Sequence, residues 1–237
     1  MAVIGGGTAG IVAAKTAAAF GAKVVLIERD RTGGDCLWTG YIIVDKHLRT
    51  SNPRIWAAGD LTGHPQFTHT AGAHGSIAAT NAILGVRRSV GATVAPRVTF
   101  TDPEIAAVGI DPQSAQRIPG LRVVELSHHD LDRAITEADI HGLTQLVLDR
   151  GHRIVGAGVV GPRAGETIGE MVLAVNQGLR TRDLAGATHP YPTYNDGPWN
   201  ASIADVRSQL QGRAVSRLIA TIVRLRRRWL RFRADPG

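Results

Sequence analysis

Short apolar runs and glycine turns alternate with small-residue segments in the first third of the chain. Residues 2–4 form an apolar run, which is followed by a glycine turn and an alanine-rich segment at residues 11–22. A second apolar run, residues 24–27, comes next. Short apolar runs bounded by glycine are typical of buried strands, and a longer run of small residues is typical of a packed helix. The pattern therefore predicts a strand, a helix and a second strand.

Hydrophobic periodicity predicts further elements along the rest of the chain. They are strands at residues 41–45 and 55–60, the second of them buried, helices over about residues 66–84 and 165–178, and a hairpin from 143 to 160 that turns at 149–152. Strands and helices thus occur in both halves of the chain, which indicates a mixed architecture of helices packed on sheets.

Three glycines between the first strand and the first helix have the spacing of a dinucleotide-binding turn. Gly5 lets the strand turn sharply, Gly7 lets the backbone approach a pyrophosphate, and Gly10 lets the helix pack close to the sheet. The helix N-terminus offers N–H groups to the phosphates. Glu28, at the end of the second strand, can accept hydrogen bonds from a ribose hydroxyl. The sequence therefore predicts a site for the ADP moiety of a dinucleotide; the alternative is a tight turn without a ligand.

Length and cysteine content narrow the class of protein. A chain of 237 residues has room for one or two domains with cores of their own. The single cysteine, Cys36, excludes an internal disulfide and favours a reducing compartment, so we expect a cytoplasmic protein. The chain has no apolar run of 18 residues, and no membrane-spanning helix is expected.

The net charge of +7 is concentrated at the C-terminal end. From Arg207 onward there are nine arginines and one acid, whereas the preceding 206 residues hold 18 basic and 19 acidic side chains. Apolar residues recur there at steps of three and four, which predicts a basic amphipathic helix; they are Val215, Leu218, Ile222, Leu225, Trp229 and Phe232. Three roles stay open for this helix: packing on a dimer partner, peripheral contact with a membrane, and nucleic-acid binding. No motif that reads a nucleic acid is present, so specific nucleic-acid recognition is not expected.

Two motifs, together with the opening strand–helix–strand segment, resemble segments of the flavoprotein disulfide reductases, the family of lipoamide dehydrogenase, glutathione reductase and mercuric reductase. One is Gly-Gly-Asp-Cys at residues 33–36. The other, residues 50–60, is a threonine followed after four residues by an aliphatic residue, an aromatic residue, alanine, any residue, glycine and aspartate. The resemblance implies FAD as the cofactor, with Asp60 hydrogen-bonded to the flavin ribitol. It also implies that the helix after Asp60 directs its N-terminus at the isoalloxazine ring, where its dipole would stabilise negative charge.

Later residues resemble the family's C-terminal dimerisation domain, beginning at residues 96–109 and continuing to about residue 205. The resemblance implies a homodimer and an oxidoreductase acting on sulfur, closest to the mercuric reductase branch. The expected fold class is α/β, with an incomplete Rossmann-like FAD-binding domain at residues 1–90 and an α+β dimerisation domain at residues 91–210. The basic tail helix at residues 211–237 lies outside the resemblance.

The chain departs from the family pattern after Cys36. In the family a second cysteine follows after four residues, at the position that Tyr41 occupies here, and a second glycine motif binds the nicotinamide cofactor; neither occurs in this sequence. An internal deletion that joins Gly40 to Tyr41 explains both differences. NAD(P)H is thus a cofactor of the parent family for which this sequence offers no site. We expect impaired catalysis; the alternative is a non-catalytic, dimerising, flavin-binding remnant.

The family's C-terminal site carries two histidines, the second of which is an acid/base group held by a glutamate. In the ungapped comparison the base becomes Tyr191 and its orienting acid becomes Asp196, while Cys36 is the remaining redox thiol. A tyrosine at this position is similar to the mercuric reductase branch, where a phenol lies near the metal thiolates. His189 takes the role only if the register slips by two residues.

The remaining histidines receive structural interpretations. His64, His69 and His74 recur every five residues, which is not the i, i+4 spacing that places two ligands on one helix face, so no metal site is predicted. His128 and His129 are predicted to lie at a solvated strand end.

Overall fold

A computed structural model describes residues 1–27, 42–92 and 94–234 of the chain. Glu28 and Cys36, and the motif at residues 33–36, lie outside the described residues. The chain divides into two compact units, Met1–Thr93 and Val94–Gly237.

The first unit contains the predicted strand–helix–strand segment. Strands β1 (Ala2–Ile4) and β2 (Val25–Ile27) pair in parallel, with Ala2 opposite Val25, and helix α1 (Thr8–Ala19) connects them. A second helix, α2 (Thr68–Leu84), confirms the helix predicted over about residues 66–84.

Small residues let α1 and α2 pack closely. A Cβ atom at Gly75 of α2 would lie 2.3 Å from the carbonyl oxygen of Ala9, so only glycine fits there. The buried apolar side chains of the two helices are all alanines: Ala13, Ala17, Ala71, Ala78 and Ala79. The contact therefore rests on close backbone approach and excludes large side chains.

The prediction of strands at residues 41–45 and 55–60 is wrong for those of these residues that the structure describes. Residues 42–45 form no ladder, because the side chain of Asp45 instead accepts hydrogen bonds from the N–H groups of His47 and Arg49 and starts a turn. In the second segment only Trp56 forms an isolated bridge, to Arg49. A strand needs a neighbouring backbone to pair with, and within the described residues these runs have only this single bridge.

The second unit is built on a five-stranded antiparallel sheet in the order β3-β4-β7-β6-β5. Its strands are β3 (Arg97–Thr99), β4 (Ile105–Gly109), β5 (Arg122–Ser127), β6 (Leu143–Leu148) and β7 (Ile154–Val160). Strands β6 and β7 confirm the predicted hairpin from 143 to 160.

Two helices cover the sheet and close the core. Helix α5 (Ala164–Gln177), which confirms the helix predicted over about 165–178, packs on β4 and β7, and α7 (Asp196–Leu210) packs on β5 and β6. Leu146, Ile168 and Met171 are buried between these layers. The other helices are α3 (Pro112–Ala115), α4 (Asp132–Thr136), α6 (Thr181–Ala185) and α8 (Arg213–Ala234), and α8 confirms the predicted tail helix. In the part of the chain that is described, no helix is long and apolar enough to cross a membrane.

A buried carboxylate joins several of these elements. The Asp205 side chain of α7 has no solvent exposure and forms an ion pair with Arg122 of β5. Its Oδ2 atom accepts from Thr181 Oγ1 at 2.6 Å and from Gln209 Nε2 at 2.8 Å, and it lies 3.1 Å from Nδ1 of His152 in the hairpin turn. Burial alone would raise the pKa of Asp205, but the hydrogen bonds from Thr181 and Arg122 outweigh it and hold that pKa below its usual value.

The prediction of a solvated strand end is wrong for His128, which is fully buried, whereas His129 is exposed. After β5 the chain turns into a 3₁₀ segment, and the ring of His128 packs against Gly142 and Gly161, where an added Cβ would lie 2.0 and 2.7 Å from ring atoms. Its Nε2 atom lies 3.1 Å from Thr144 Oγ1. Burial lowers the pKa of His128, which favours the neutral form of the ring.

Candidate functional site

The first glycine turn has a geometry that requires glycine at two of its positions. Gly5 has φ +98°, a left-handed conformation that side chains rarely adopt. A Cβ atom at Gly10 would lie 1.8 Å from the carbonyl oxygen of Gly5, so any other residue would push the helix away from the turn. Gly7 precedes α1, whose N-terminus has no side-chain cap and no acidic residue in its first turn. This N-terminus keeps the positive dipole end that favours an anion.

Asp60 lies close to this turn although it is far along the chain. It begins a 3₁₀ segment directly after Gly59, which has φ +85°. A Cβ atom at Gly59 would lie 3.0 Å from Cβ of Ala9 in the first turn of α1. The fold therefore brings Asp60 to the same end of α1 as Gly5, Gly7 and Gly10.

Tyr191 lies in the second unit and is bound to a carboxylate that sequence reasoning missed. Its side chain is exposed (68%), and its hydroxyl donates to Oδ2 of Asp132 at 2.6 Å. This hydrogen bond and the negative charge of Asp132 raise the pKa of Tyr191 above its usual value. The phenol is thus a neutral donor held by α4.

The predicted pairing of Tyr191 with Asp196 is not formed. Asp196 is buried at the start of α7, where its Oδ2 atom accepts the N–H of Thr193 at 3.0 Å. A carboxylate in the first turn of a helix is favoured by the free N–H groups and the dipole there. The local role of Asp196 is therefore to fix the segment that leads into α7 through the N–H of Thr193, while Asp132 orients Tyr191.

His189 forms the histidine–carboxylate pair of this region. Its Nε2 atom lies 2.9 Å from Oε1 of Glu170 on α5, and Nδ2 of Asn195 donates to the other oxygen of the same carboxylate. The ring stacks on Trp199 with 5.2 Å between the ring centroids, and its side chain is only 6% exposed. Glu170 follows buried Thr167 by one helical turn, so the two side chains lie on the same face of α5.

A second phenol next to this segment is also held by a carboxylate. Tyr194 donates to Oε2 of Glu137 at 3.0 Å, and burial together with this contact raises the pKa of Tyr194 to about 12. The hydrogen bond from Tyr194, followed by that from Arg133, lowers the pKa of Glu137. Arg163 also pairs with Glu137 and lies over the Tyr194 ring. Both phenols stay protonated at neutral pH and can donate, not accept, protons.

Metal ligation has no support in the described residues, where no group of three or more His, Cys, Asp or Glu side chains is placed to hold an ion. His64 and His74 meet edge to face, with 4.8 Å between ring centroids. Burial lowers the pKa of His74, which is consistent with a packing role for this ring.

Comparison with protein families matches three stretches of the chain. Residues 95–202 match the pyridine nucleotide-disulphide oxidoreductase dimerisation domain, and residues 33–75 match the pyridine nucleotide-disulphide oxidoreductase domain. The chain belongs to the pyridine nucleotide-disulphide oxidoreductase family. Residues 3–41 of this family member match the NAD(P)-binding Rossmann-like domain, and the predicted α/β fold class is confirmed.

Relatives of this family member include mercuric reductases and dihydrolipoyl dehydrogenases. The mercuric reductase of Streptomyces lividans is 41% identical over 156 residues, which cover 65% of this chain and 33% of that protein. The dihydrolipoyl dehydrogenase of Haemophilus influenzae is 33% identical over 173 residues, which cover 72% of this chain and 36% of that protein. This chain therefore spans about a third of the length of these curated relatives.

Solved structures show the same relationship. LpdA from Mycobacterium tuberculosis superposes with a TM-score of 0.63 at 29% identity, covering 69% of this chain and 36% of that one. The flavoprotein disulfide reductase RclA from Escherichia coli also gives a TM-score of 0.63, at 26% identity, covering 68% of this chain and 38% of that one.

Proposed function

We propose that this chain is an FAD-binding, mercuric reductase-like member of the disulfide reductase family whose catalysis is impaired as the sequence stands. The observation that carries the proposal is the approach of Gly59 to Ala9, which brings the Asp60 motif to the glycine turn at the start of α1. In the family resemblance these two motifs hold opposite ends of one FAD molecule. A binding site for NAD(P)H alone would have no use for Asp60.

The residues present fit this cofactor. Gly5 has the positive φ that side chains disfavour, Gly10 leaves no room for a Cβ atom, and the uncapped N-terminus of α1 suits a pyrophosphate. Gly7 would let the backbone approach the phosphates, Glu28 would bind the ribose, and Asp60 would bind the ribitol. When bound, FAD supplies the acceptor for two electrons in sulfur oxidoreduction.

A binding experiment tests the cofactor. Purified protein titrated with FAD should bind it, whereas NADH should bind far more weakly. Asp60→Ala should weaken FAD binding about 5- to 150-fold, which corresponds to about 1–3 kcal/mol for a lost buried polar partner. Gly10→Ala should abolish binding because its Cβ meets the backbone at 1.8 Å.

The matched control is Gly72→Ala on α2, where an added Cβ makes only ordinary contacts at 3.7 and 3.8 Å. It should bind FAD as the parent does. No flavin complex in excess FAD, or normal FAD binding by Asp60→Ala together with Gly10→Ala, would contradict the proposal.

Catalysis is proposed to be weak because Cys36 is the sole thiol and the sequence has one glycine motif, which the FAD site uses. Tyr191, exposed and held by Asp132, is proposed as the proton donor at the sulfur chemistry, and Asp196 acts by fixing the segment that carries it. Reduction of disulfides or mercuric ion by NAD(P)H should not exceed that by free FAD. Robust turnover lost in Cys36→Ser would overturn this part of the proposal.

A homodimer through the domain that matches at residues 95–202 is proposed as the working state, in the cytoplasm of the cell. An obligate interface of this kind buries about 2,000 Å² or more. Sedimentation of the full chain should give a dimer, and a well-folded monomer at micromolar concentration would refute it.

The second candidate function is a non-catalytic flavin-binding dimer. The single thiol favours it, and it predicts FAD binding without any Cys36-dependent turnover.

A further inference from the structure

Helix α8 presents a continuous apolar stripe to solvent. The stripe consists of Leu218, Ile222, Leu225 and Trp229, flanked by Ile219, Val223 and Leu230, and these side chains are between 39% and 60% exposed. Their spacing of three and four residues places them on one side of a helix of 22 residues. Isolated exposed apolar residues are normal, but a contiguous stripe along a whole helix marks an interaction surface.

The opposite side of α8 is strongly basic. The helix carries eight arginines and no acid, and Arg217, Arg224, Arg227 and Arg228 lie away from the stripe on the helical projection. Arg226 lies nearer the stripe, with its guanidinium 5.9 Å from the centroid of the Trp229 ring. An arginine beside a tryptophan at the border of an apolar face can reach polar groups while its stem stays on apolar surface.

The apolar stripe and the basic side of α8 together indicate which class of partner the helix binds. A second copy of α8 would add eight more arginines with no acid on either helix to offset them, and this uncompensated charge opposes pairing through this helix. The dimerisation-domain match ends at residue 202, before α8 begins. A nucleic acid would use the arginines but leave the apolar stripe in water. An anionic lipid surface satisfies both sides at once, because acyl chains receive the stripe while headgroup phosphates pair with the arginines.

We propose that α8 lies in the plane of an anionic membrane surface, with Leu218, Ile222, Leu225 and Trp229 in the acyl region and its arginines at the headgroups. The helix is about 33 Å long and does not cross the membrane; it anchors the chain to one face. This inference does not depend on the proposed flavin chemistry, and it would hold for a non-catalytic remnant as well.

The test is co-sedimentation of the full chain with vesicles of phosphatidylcholine, with and without phosphatidylglycerol. Binding is expected only with the anionic lipid and should weaken as salt is raised, since salt screens surface charge. Leu218→Ser with Leu225→Ser should weaken binding about a hundredfold, roughly tenfold for each side chain withdrawn from the acyl region. Glutamine at Arg217, Arg224, Arg227 and Arg228 should cost about a hundredfold or more.

Leu173→Ser is the matched control, because Leu173 of α5 is 58% exposed and lies outside the stripe. It should bind vesicles as the parent does. Quenching of fluorescence by brominated lipid should fall in Trp229→Phe, which reports that this ring enters the acyl region. Circular dichroism should show that the variants keep their helix content.

Three outcomes overturn the proposal. One is no binding to anionic vesicles at any salt concentration. Another is tight binding of single- or double-stranded nucleic acid that the arginine variant loses and the leucine variant keeps, which would assign α8 to a nucleic acid. The last is dissociation of the lipid-free dimer by the leucine variant, which would assign the stripe to a second copy of this chain.

Discussion

Removal of the Asp205 carboxylate should destabilise the second unit strongly. Asp205→Ala leaves Thr181, which is fully buried, without its acceptor, and leaves Arg122 without its counter-charge. Breaking a buried ion pair from one side costs about 3–5 kcal/mol. The side chains of Arg122 and His152 are 40% and 33% exposed and can regain water, so we expect the lower end, about 3 kcal/mol. For a unit of this size that loss lowers Tm by about 6–12 °C.

The pH dependence of the unfolding free energy distinguishes the effect of the Asp205 charge from the effect of its shape. A carboxyl whose pKa is lowered in the folded state adds stability above its unfolded pKa, near 3.8, and this contribution is lost as the pH falls through the folded pKa. The difference in unfolding free energy between the parent and Asp205→Asn should therefore be largest at pH 7 and shrink below about pH 3.8.

Guanidinium unfolding followed by circular dichroism, at pH 7 and at the lowest pH at which the parent is folded, measures both effects. Asp130→Ala is the control, because Asp130 is exposed, and it should change the unfolding free energy by no more than about 0.5 kcal/mol. Equal losses for Asp205→Ala and the control, or a loss for Asp205→Asn that does not vary with pH, would refute the reasoning.

Three further experiments test other parts of the second unit. Burial lowers the pKa of His128, so the unfolded chain gains a proton near pH 6.5 that the folded chain excludes; stability should fall below that pH, and His128→Gln should flatten the fall in denaturant titrations. Asp132→Asn should lower the pKa of Tyr191 in a phenolate absorbance titration, and an unchanged pKa would contradict the contact between them. Gly197→Ala should cost about 1–3 kcal/mol, because its Cβ would lie 2.5 Å from a buried threonine hydroxyl, whereas Gly169→Ala in open space should gain about 0.5–1 kcal/mol in thermal unfolding.

The sequence predicted those elements whose apolar residues repeat locally. The β6–β7 hairpin and α5 have clear periodicity and clear turns, and α8 shows its stripe without any tertiary information. The apolar runs at 41–45 and 55–60 look the same in composition. They fail because strand formation also requires a partner strand, which a local pattern does not contain.

The candidate site likewise contains features that a local pattern predicted and contacts that it missed. Gly5 and Gly10 follow from the local sterics of one turn, so their spacing sufficed to predict them. The acceptor of Tyr191 is Asp132, 59 residues earlier, and the partner of His189 is Glu170, 19 residues earlier. Such pairs arise only when separate elements pack. The ungapped comparison with the family, which named Asp196 as the acid beside Tyr191, contains no information about that packing.

The alanine contact between α1 and α2 has a consequence for how the chain opens. Each buried alanine removes a single methyl group from water, whereas the second unit buries leucine, isoleucine and methionine side chains of several times that apolar area. The amide protons of α1 and α2 should therefore exchange with deuterium long before those of β6 and β7, and proteases should cut the first unit while the second is still folded. A ligand that bridges the starts of these two helices would slow both processes selectively, so protection of α1 reports occupancy of the glycine turn.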